Sequence, residues 1–407
     1  MQDKNQYTPE LRFPEFHDEW QMKHLGEIAV FYKGKGISKS EASLQGKTPC
    51  VRYGELYTYY NEIITETKSF TNIQTDNLFL SKKNDIIIPS SGETKEDIST
   101  ASCVMKNGIA LGGDINIIRT NNDGIFFAYY LNNAKKYDIA KIAQGISIIH
   151  LYNEQLKNLS VCFPTLSEQR KIASCLSSLD DLIKSVGDKI ELLKQHKKGL
   201  MQKLFPKKEC NVPELRFKGF EGEWEEIKFG SILKENKNVS KVDNEDILLS
   251  STINGIFLNS EVFSHQRGMN TIGYRKIKLN MLILSAQNLH LGNANVNLKY
   301  EHGLISPAYK TYEIINTDPI FFSHWIKRDS SKFFFFLATT EGASACRRNV
   351  VWDKLYNQLI CIPTLAEQQK IASCLSSIDT AIEETEKKLQ MLQQHKKGLM
   401  QKMFVKM

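Results

Sequence analysis

CFPTLSEQRKIASCLSSLDDLIKSVGDKIELLKQHKKGLMQKLF, residues 162–205, returns as CIPTLAEQQKIASCLSSIDTAIEETEKKLQMLQQHKKGLMQKMF at residues 361–404. At a fixed offset of 199 (361 − 162), 28 of these 44 positions are identical. A shorter echo precedes each unit: PELRFPEFHDEW at 9–20 and PELRFKGFEGEW at 213–224. The segments between the echoes, 25–160 and 230–360, look almost unrelated. A repeat of this kind decides the architecture before any single motif does: a duplicated frame carries two divergent inserts.

Within the repeat, Ile172, Leu176, Leu179, Ile183, Val186, Ile190, Leu193, Leu200 and Leu204 recur at alternating steps of four and three, with Lys197 in the one missing slot. The copy repeats the pattern with Ile371, Leu375, Ile378, Ile382, Thr385, Leu389, Leu392, Leu399 and Met403, and Lys396 in its gap. Four heptads of this spacing predict a coiled-coil seam. Pro164-Thr165-x-x-Glu168 and Pro363-Thr364-x-x-Glu367 predict a capping box at each start. A helix of about 40 residues is about 60 Å long, so its seam needs a cover of similar length, and the other copy is the natural one. Connectivity then makes the pair antiparallel and the chain pseudo-two-fold. The blander expectation is that each stripe packs on its own globular domain.

The predicted fold class is α+β: two α/β domains joined by two long antiparallel coiled-coil helices, an internal pseudo-two-fold repeat. The expected segments are 1–163, a first domain; 164–205, a helix; 206–362, a second domain; and 363–407, a second helix. Strands are expected at 50–56, 84–91 and 114–120, against 246–252, 280–286 and 308–315, with helices at 125–136 and 319–330. Polar, glycine-bearing loops at 144–159 and 341–359 close the inserts. Phe13, Phe16, Trp20, Phe217, Phe220 and Trp224 read as core or docking surface.

At 41% hydrophobic and 24% charged the chain is ordinary for a folded protein, and its net charge of +7 suits a polyanion partner without demanding one. The polar start MQDKNQYTPE carries no apolar leader pattern, FFFFLA at 333–338 is too short to span a bilayer, and the eight cysteines form no CxxC pair. These features predict a cytoplasmic protein with no membrane association and no metal site.

Equivalent loops of the two inserts carry clustered donors and acceptors. Ser90, Ser91, Glu93, Thr94, Lys95, Gln144, Ser147 and His150 do so in the first, and Gln287, Asn288, His290, Ser344, Arg347 and Arg348 in the second. Arg suits guanine and Gln or Asn suits adenine in the major groove, so these are the candidate DNA-binding residues. Taken singly, each has the simpler reading of a solvated surface side chain. No catalytic set is found: there is no P-loop, HExxH or GxSxG, and no PP dipeptide to complete an amino-methyltransferase signature. Asp85 followed by Glu93-x-Lys95 mimics a metal-dependent nuclease, but the second insert lacks the pattern.

The order of variable domain, PTLSEQRKIASCLSSLDDLI, variable domain and PTLAEQQKIASCLSSIDTAI closely resembles the DNA-specificity (S) subunit of type I restriction–modification systems. The resemblance covers essentially the whole chain and is most specific at Pro164–Ala173 and Pro363–Ala372. It implies two target-recognition domains, each reading one half of a bipartite site in double-stranded DNA, with the helices as spacer and docking surface. It further implies a non-catalytic chain without cofactors. Two modification (methyltransferase) subunits would supply the methyl transfer, and restriction (motor-nuclease) subunits would join through them. S-adenosylmethionine and ATP/Mg would then sit on those partners. The rival reading is a coiled-coil scaffold or adaptor with two protein-binding modules.

Overall fold

The structure is a computed structural model that describes residues 7–207, 210–263, 270–344 and 347–405, with side chains at 342–344 and 347 outside the description. It divides into two compact units: residues 1–186 with 388–407, and residues 187–387. Both boundaries fall inside the long helices, Leu166–Leu204 and Leu365–Met403, of 39 residues each. Each unit therefore consists of one insert, the start of the helix that follows it and the end of the other helix.

The central sheets share one order. In the first unit Ala29–Lys33, Ile115–Thr120, Asp85–Pro89 and Ser102–Val104 pair antiparallel, and Ile63–Ile64 adds a parallel edge. In the second, Leu233–Asn236, Tyr309–Ile314, Met281–Ser285 and Ala294–Val296 take the same sequence of neighbours. The central strands, IIIP and MLILS, are buried along their whole length, as sheets covered on both faces require. Each follows an asparagine at positive φ, Asn84 (80°) and Asn280 (65°), a conformation that asparagine tolerates better than most residues. A second antiparallel pair closes each insert: Gln21–His24 with Ser160–Phe163, and Glu225–Lys228 with Leu359–Ile362.

Three local expectations need correction. Residues 50–56 do not continue as one strand: Thr48–Val51 is a strand, and Tyr53–Thr58 turns into a helix whose Glu55 carboxylate accepts the Arg52 backbone N–H at 3.0 Å. The predicted helix at 319–330 ends at Ile326, and a second runs over Asp329–Leu337. The stretches 144–159 and 341–359 are not plain loops, since each folds into a short strand pair followed by a one-turn helix.

Each core takes in both long helices. In the first unit Trp20, Phe126, Tyr130, Ile172 and Leu176 form one buried cluster with Met403 and Phe404. In the second, Trp224, Phe321, Trp325, Ile371 and Leu375 cluster with Leu204 and Phe205. The opening turns of each stripe thus pack on the insert before them. Farther along, helix meets helix: Lys197 pairs with Asp379 and Lys194 with Glu386 in the second unit, an antiparallel register. In the first unit Lys396 pairs with Asp180. Leu179, Ile183 and Ile378 are half-buried along this seam and Ile382 is buried. Among the described residues, no helix is long and apolar enough to cross a membrane.

Candidate nucleic-acid interface

In the first unit the two candidate loops meet. Ser91–Gly92 pairs antiparallel with Ile149–His150, and the Ser91 hydroxyl lies 3.3 Å from His150 Nδ1. The Leu151 N–H donates to the Ser90 carbonyl at 3.1 Å. Gln144 and His150 exchange backbone bonds of 2.9 and 2.6 Å, which closes a tight hairpin with Gly145–Ile148 at its tip. Gly145 has φ +128°, and a Cβ there would fall 2.0 Å from the Ile148 carbonyl oxygen, so only glycine makes this turn without strain.

Glu93, Lys95, Gln144 and Ser147 are exposed, and His150 is half-buried with its ring stacked on Tyr152. Thr94 uses its hydroxyl to accept the Asp97 N–H at 3.1 Å and cap the helix Lys95–Ile98. Ser90 is buried, and its hydroxyl has no partner among the described residues. Asp85 is buried and gripped by Arg119 through two bonds of 2.7 Å. That removes it from any nuclease-like set with Glu93 and Lys95.

The second unit places Gln287 and Asn288 at the exposed start of a turn that runs into Leu289–Leu291. The strands Thr339–Ser344 and Arg347–Val350 pair beside it, with a register irregularity between Glu341 and Ser344. Ser344 and Arg347 lie at the end of this pairing, on backbone whose side chains fall outside the description. Arg348 is committed internally: its Nε donates to Thr339 Oγ1 at 2.8 Å, and its guanidinium lies 4.4 Å from the centre of the Phe336 ring. Burial, together with the nearby charge of Arg348, lowers the pKa of His290. The structure therefore brings His290 and Arg348 together and holds Gln287 and Asn288 at the surface. Elsewhere in the unit, Lys194, Lys198, Lys207, Lys327 and Arg328 help line a groove of about 600 Å³.

Sequence reading missed the groups that hold each helix on its domain. Glu168 and Glu367 do not close capping boxes; they take Arg12 and Arg216 from the PELRF segments. The next residue works the same way in both copies. Gln169 accepts the Asp123 N–H at 2.9 Å and donates to the Pro164 carbonyl at 2.8 Å, and Gln368 does so with Asp318 and Pro363 at 2.8 Å each. Asp123 and Asp318 in turn cap the buried helices Gly124–Asn133 and Pro319–Ile326. The available signal was the recurrence of Arg and Glu-Gln in both echoes. Among the described residues no three His, Cys, Asp or Glu side chains are grouped to hold a metal.

Comparison with known proteins gives this architecture its class. Residues 17–195 match the family described as type I restriction modification DNA specificity domain. The chain is 24% identical to the type I restriction enzyme MjaVIII specificity subunit of Methanocaldococcus jannaschii, over 97% of this chain and 95% of that protein. It is 26% identical to the putative MjaX specificity subunit of the same organism, over 71% and 70%. The fold matches the crystal structure of a type I restriction–modification S subunit from M. genitalium with a TM-score of 0.61, at 17% identity over 98% of this chain and 100% of that one. Over nearly its whole length the chain is thus similar to DNA-specificity subunits of type I restriction–modification systems.

Proposed function

We propose that this chain selects DNA for a type I restriction–modification complex in the cytoplasm, each unit reading one half of a bipartite site. The observation that carries the reading is the pairing of a duplicated anchor with unlike loop surfaces. The Arg-Glu and Gln-Asp locks recur nearly atom for atom, while Ser91 and His150 in one unit give way in sequence to Gln287 and Arg347 in the other. A scaffold that keeps its frame and varies its loops changes what it binds. Gln144, Ser147, His150 and Lys95 in the first unit, and Gln287, Asn288 and Arg347 in the second, are the proposed base-edge contacts. The basic groove near Arg328 suits phosphates, which position a module without carrying sequence.

The helices, shared by both units, set the distance between half-sites and dock two modification subunits, through which restriction subunits join. The methyl donor S-adenosylmethionine and ATP/Mg belong to those partners. Methylome sequencing of cells carrying this chain with its modification subunit tests the reading: a two-part motif with an unspecified gap is expected. The purified chain alone, given labelled methyl donor and site-bearing DNA, should transfer no label. A chain that binds its own site no better than competitor DNA would favour the adaptor reading instead.

A further inference from the structure

The hairpin tip of the first unit is apolar where its surroundings are polar. Ile146 is 99% exposed and Ile148 59%, with exposed Ser147 between them. The stalk beneath is fixed by the two Gln144–His150 bonds, by the strand pair with Ser91–Gly92 and by Ile149, which is buried. Gly145 sets the turn. A β-branched side chain on such a stalk has few rotamers to lose on contact. The second insert repeats the pattern in sequence: QGISIIH at 144–150 stands against EGASACR at 341–347, keeping the glycine and serine and replacing both flanking isoleucines by alanine. The glycine and serine of this sequence are thus retained while the size of its apolar side chains differs.

We infer that Ile146 is a specificity-determining residue of the first unit, reading a thymine through its 5-methyl group. This rests on the DNA-reading function proposed above. In the major groove the base edges offer hydrogen-bonding groups and one apolar group, the thymine methyl. Ile146 stands at the tip next to Ser147, and His150 closes the same hairpin at its base, so donor, acceptor and methyl-contacting groups are carried by one small element.

The test uses the full chain with its modification subunits and a duplex carrying the site found by methylome sequencing. Each thymine of the half-site, on either strand, is replaced in turn by deoxyuridine, which removes only the methyl group. Affinity is read by fluorescence anisotropy at fixed salt. At one thymine the wild-type protein is expected to lose about three- to tenfold, as removal of one buried methyl contact implies. Ile146→Ala should show a similar loss on the parent duplex and no further loss on the uracil duplex. Ile146→Val should fall between the two. Because Ile146 is exposed, an unchanged melting temperature is expected for each variant.

The inference is overturned by equal wild-type affinity for every uracil duplex, by a uracil penalty that survives in Ile146→Ala, or by a half-site without an A·T pair. It is also overturned if Ile146→Ala weakens only retention of the modification subunits, which would make the tip a protein contact. Failure of the parent reading looks different: the wild-type complex would not distinguish its site from a scrambled duplex.

Discussion

Arg12 lays its guanidinium flat on the Glu168 carboxylate through two parallel bonds of 2.7 Å, 156 residues apart in the chain. Trp20 adds its indole N–H at 3.4 Å, and the Glu168 side chain is only 1% exposed. Removing one partner of a buried pair strands a charge in a poor solvent and costs about 3–5 kcal/mol, whereas replacing both by apolar groups is often neutral. Arg12→Met should therefore speed hydrogen exchange throughout the first unit, and Arg12→Met with Glu168→Leu should restore most of the protection. Arg216→Met should act likewise on the second unit. Equal exchange in single and double variants would show that the pair contributes little.

Lys197 fills the gap in the heptad seam because Asp379 waits opposite it, at 2.5 and 2.6 Å; Lys396 and Asp180 do the same in the other unit, at 2.7 and 2.8 Å. A polar group in a seam specifies register at some expense of stability. Asp379→Ala should destabilise the second unit by about 1–2 kcal/mol, between the values for exposed and buried pairs. Replacing both lysines and both aspartates by leucine should hold or raise the melting temperature while producing higher-mass species in light scattering. A strictly monodisperse quadruple variant would argue that register is set elsewhere.

The repeat and its seam were readable because they are patterns along the chain, visible without knowing what faces what. The same holds for the buried strands Asp85–Pro89 and Met281–Ser285, whose apolar runs each follow an asparagine turn. Long-range chemistry was not readable. Glu168 looked like a capping-box partner because its position fits one, but Arg12 competes for the carboxylate from far off in sequence. Residues 50–56 looked like a strand because their apolar and aromatic content suits one, yet Glu55 closes a helical turn on Arg52. At the candidate site, Ser90 and Ser91 are alike in sequence, and only the strand pairing shows that the first hydroxyl points inward. Arg348 read as a candidate guanine contact, and its partners Phe336 and Thr339, which no local pattern announces, are visible only in the structure.

Gly145→Ala places a Cβ against the Ile148 carbonyl at a φ that L-residues avoid. Strain of this kind costs on the order of 1–3 kcal/mol, and the hairpin can relieve it only by opening. The variant should lose about tenfold or more in affinity for its site, with the loss confined to bases read by the first unit. Binding measured on duplexes altered in one half-site at a time checks this. A loss shared by both half-sites would mean that the hairpin does not read bases.

Arg348 holds the hairpin of the second unit and adds its charge to the burial that lowers the pKa of His290. Arg348→Met should raise the His290 titration toward its ordinary range without reaching it, since burial, the larger cause, remains. Histidine resonances followed by NMR across pH 4–8 report this directly. The substitution should weaken binding to all sites together; loss at a single guanine would return Arg348 to base contact.

The second unit is expected to respond to acid through His324. This residue is buried at the position where the first unit has Tyr129, whose hydroxyl donates to Asp180 at 2.6 Å. Burial, the larger cause, and the charge of Lys197 together lower its pKa to about 4 against the opposing pull of Asp379 and Asp318. A group whose folded pKa lies below its unfolded value binds more protons when unfolded, so its stabilising contribution is full above the unfolded pKa and falls as pH drops toward the folded one. The window is therefore from about pH 6.5 down to about pH 4, and the effect is at most about 3 kcal/mol. Urea unfolding of the wild-type protein should show the second unit weakening through this window. His324→Phe, which cannot take up a proton, should flatten that slope, and an unchanged slope would assign the acid sensitivity to other groups.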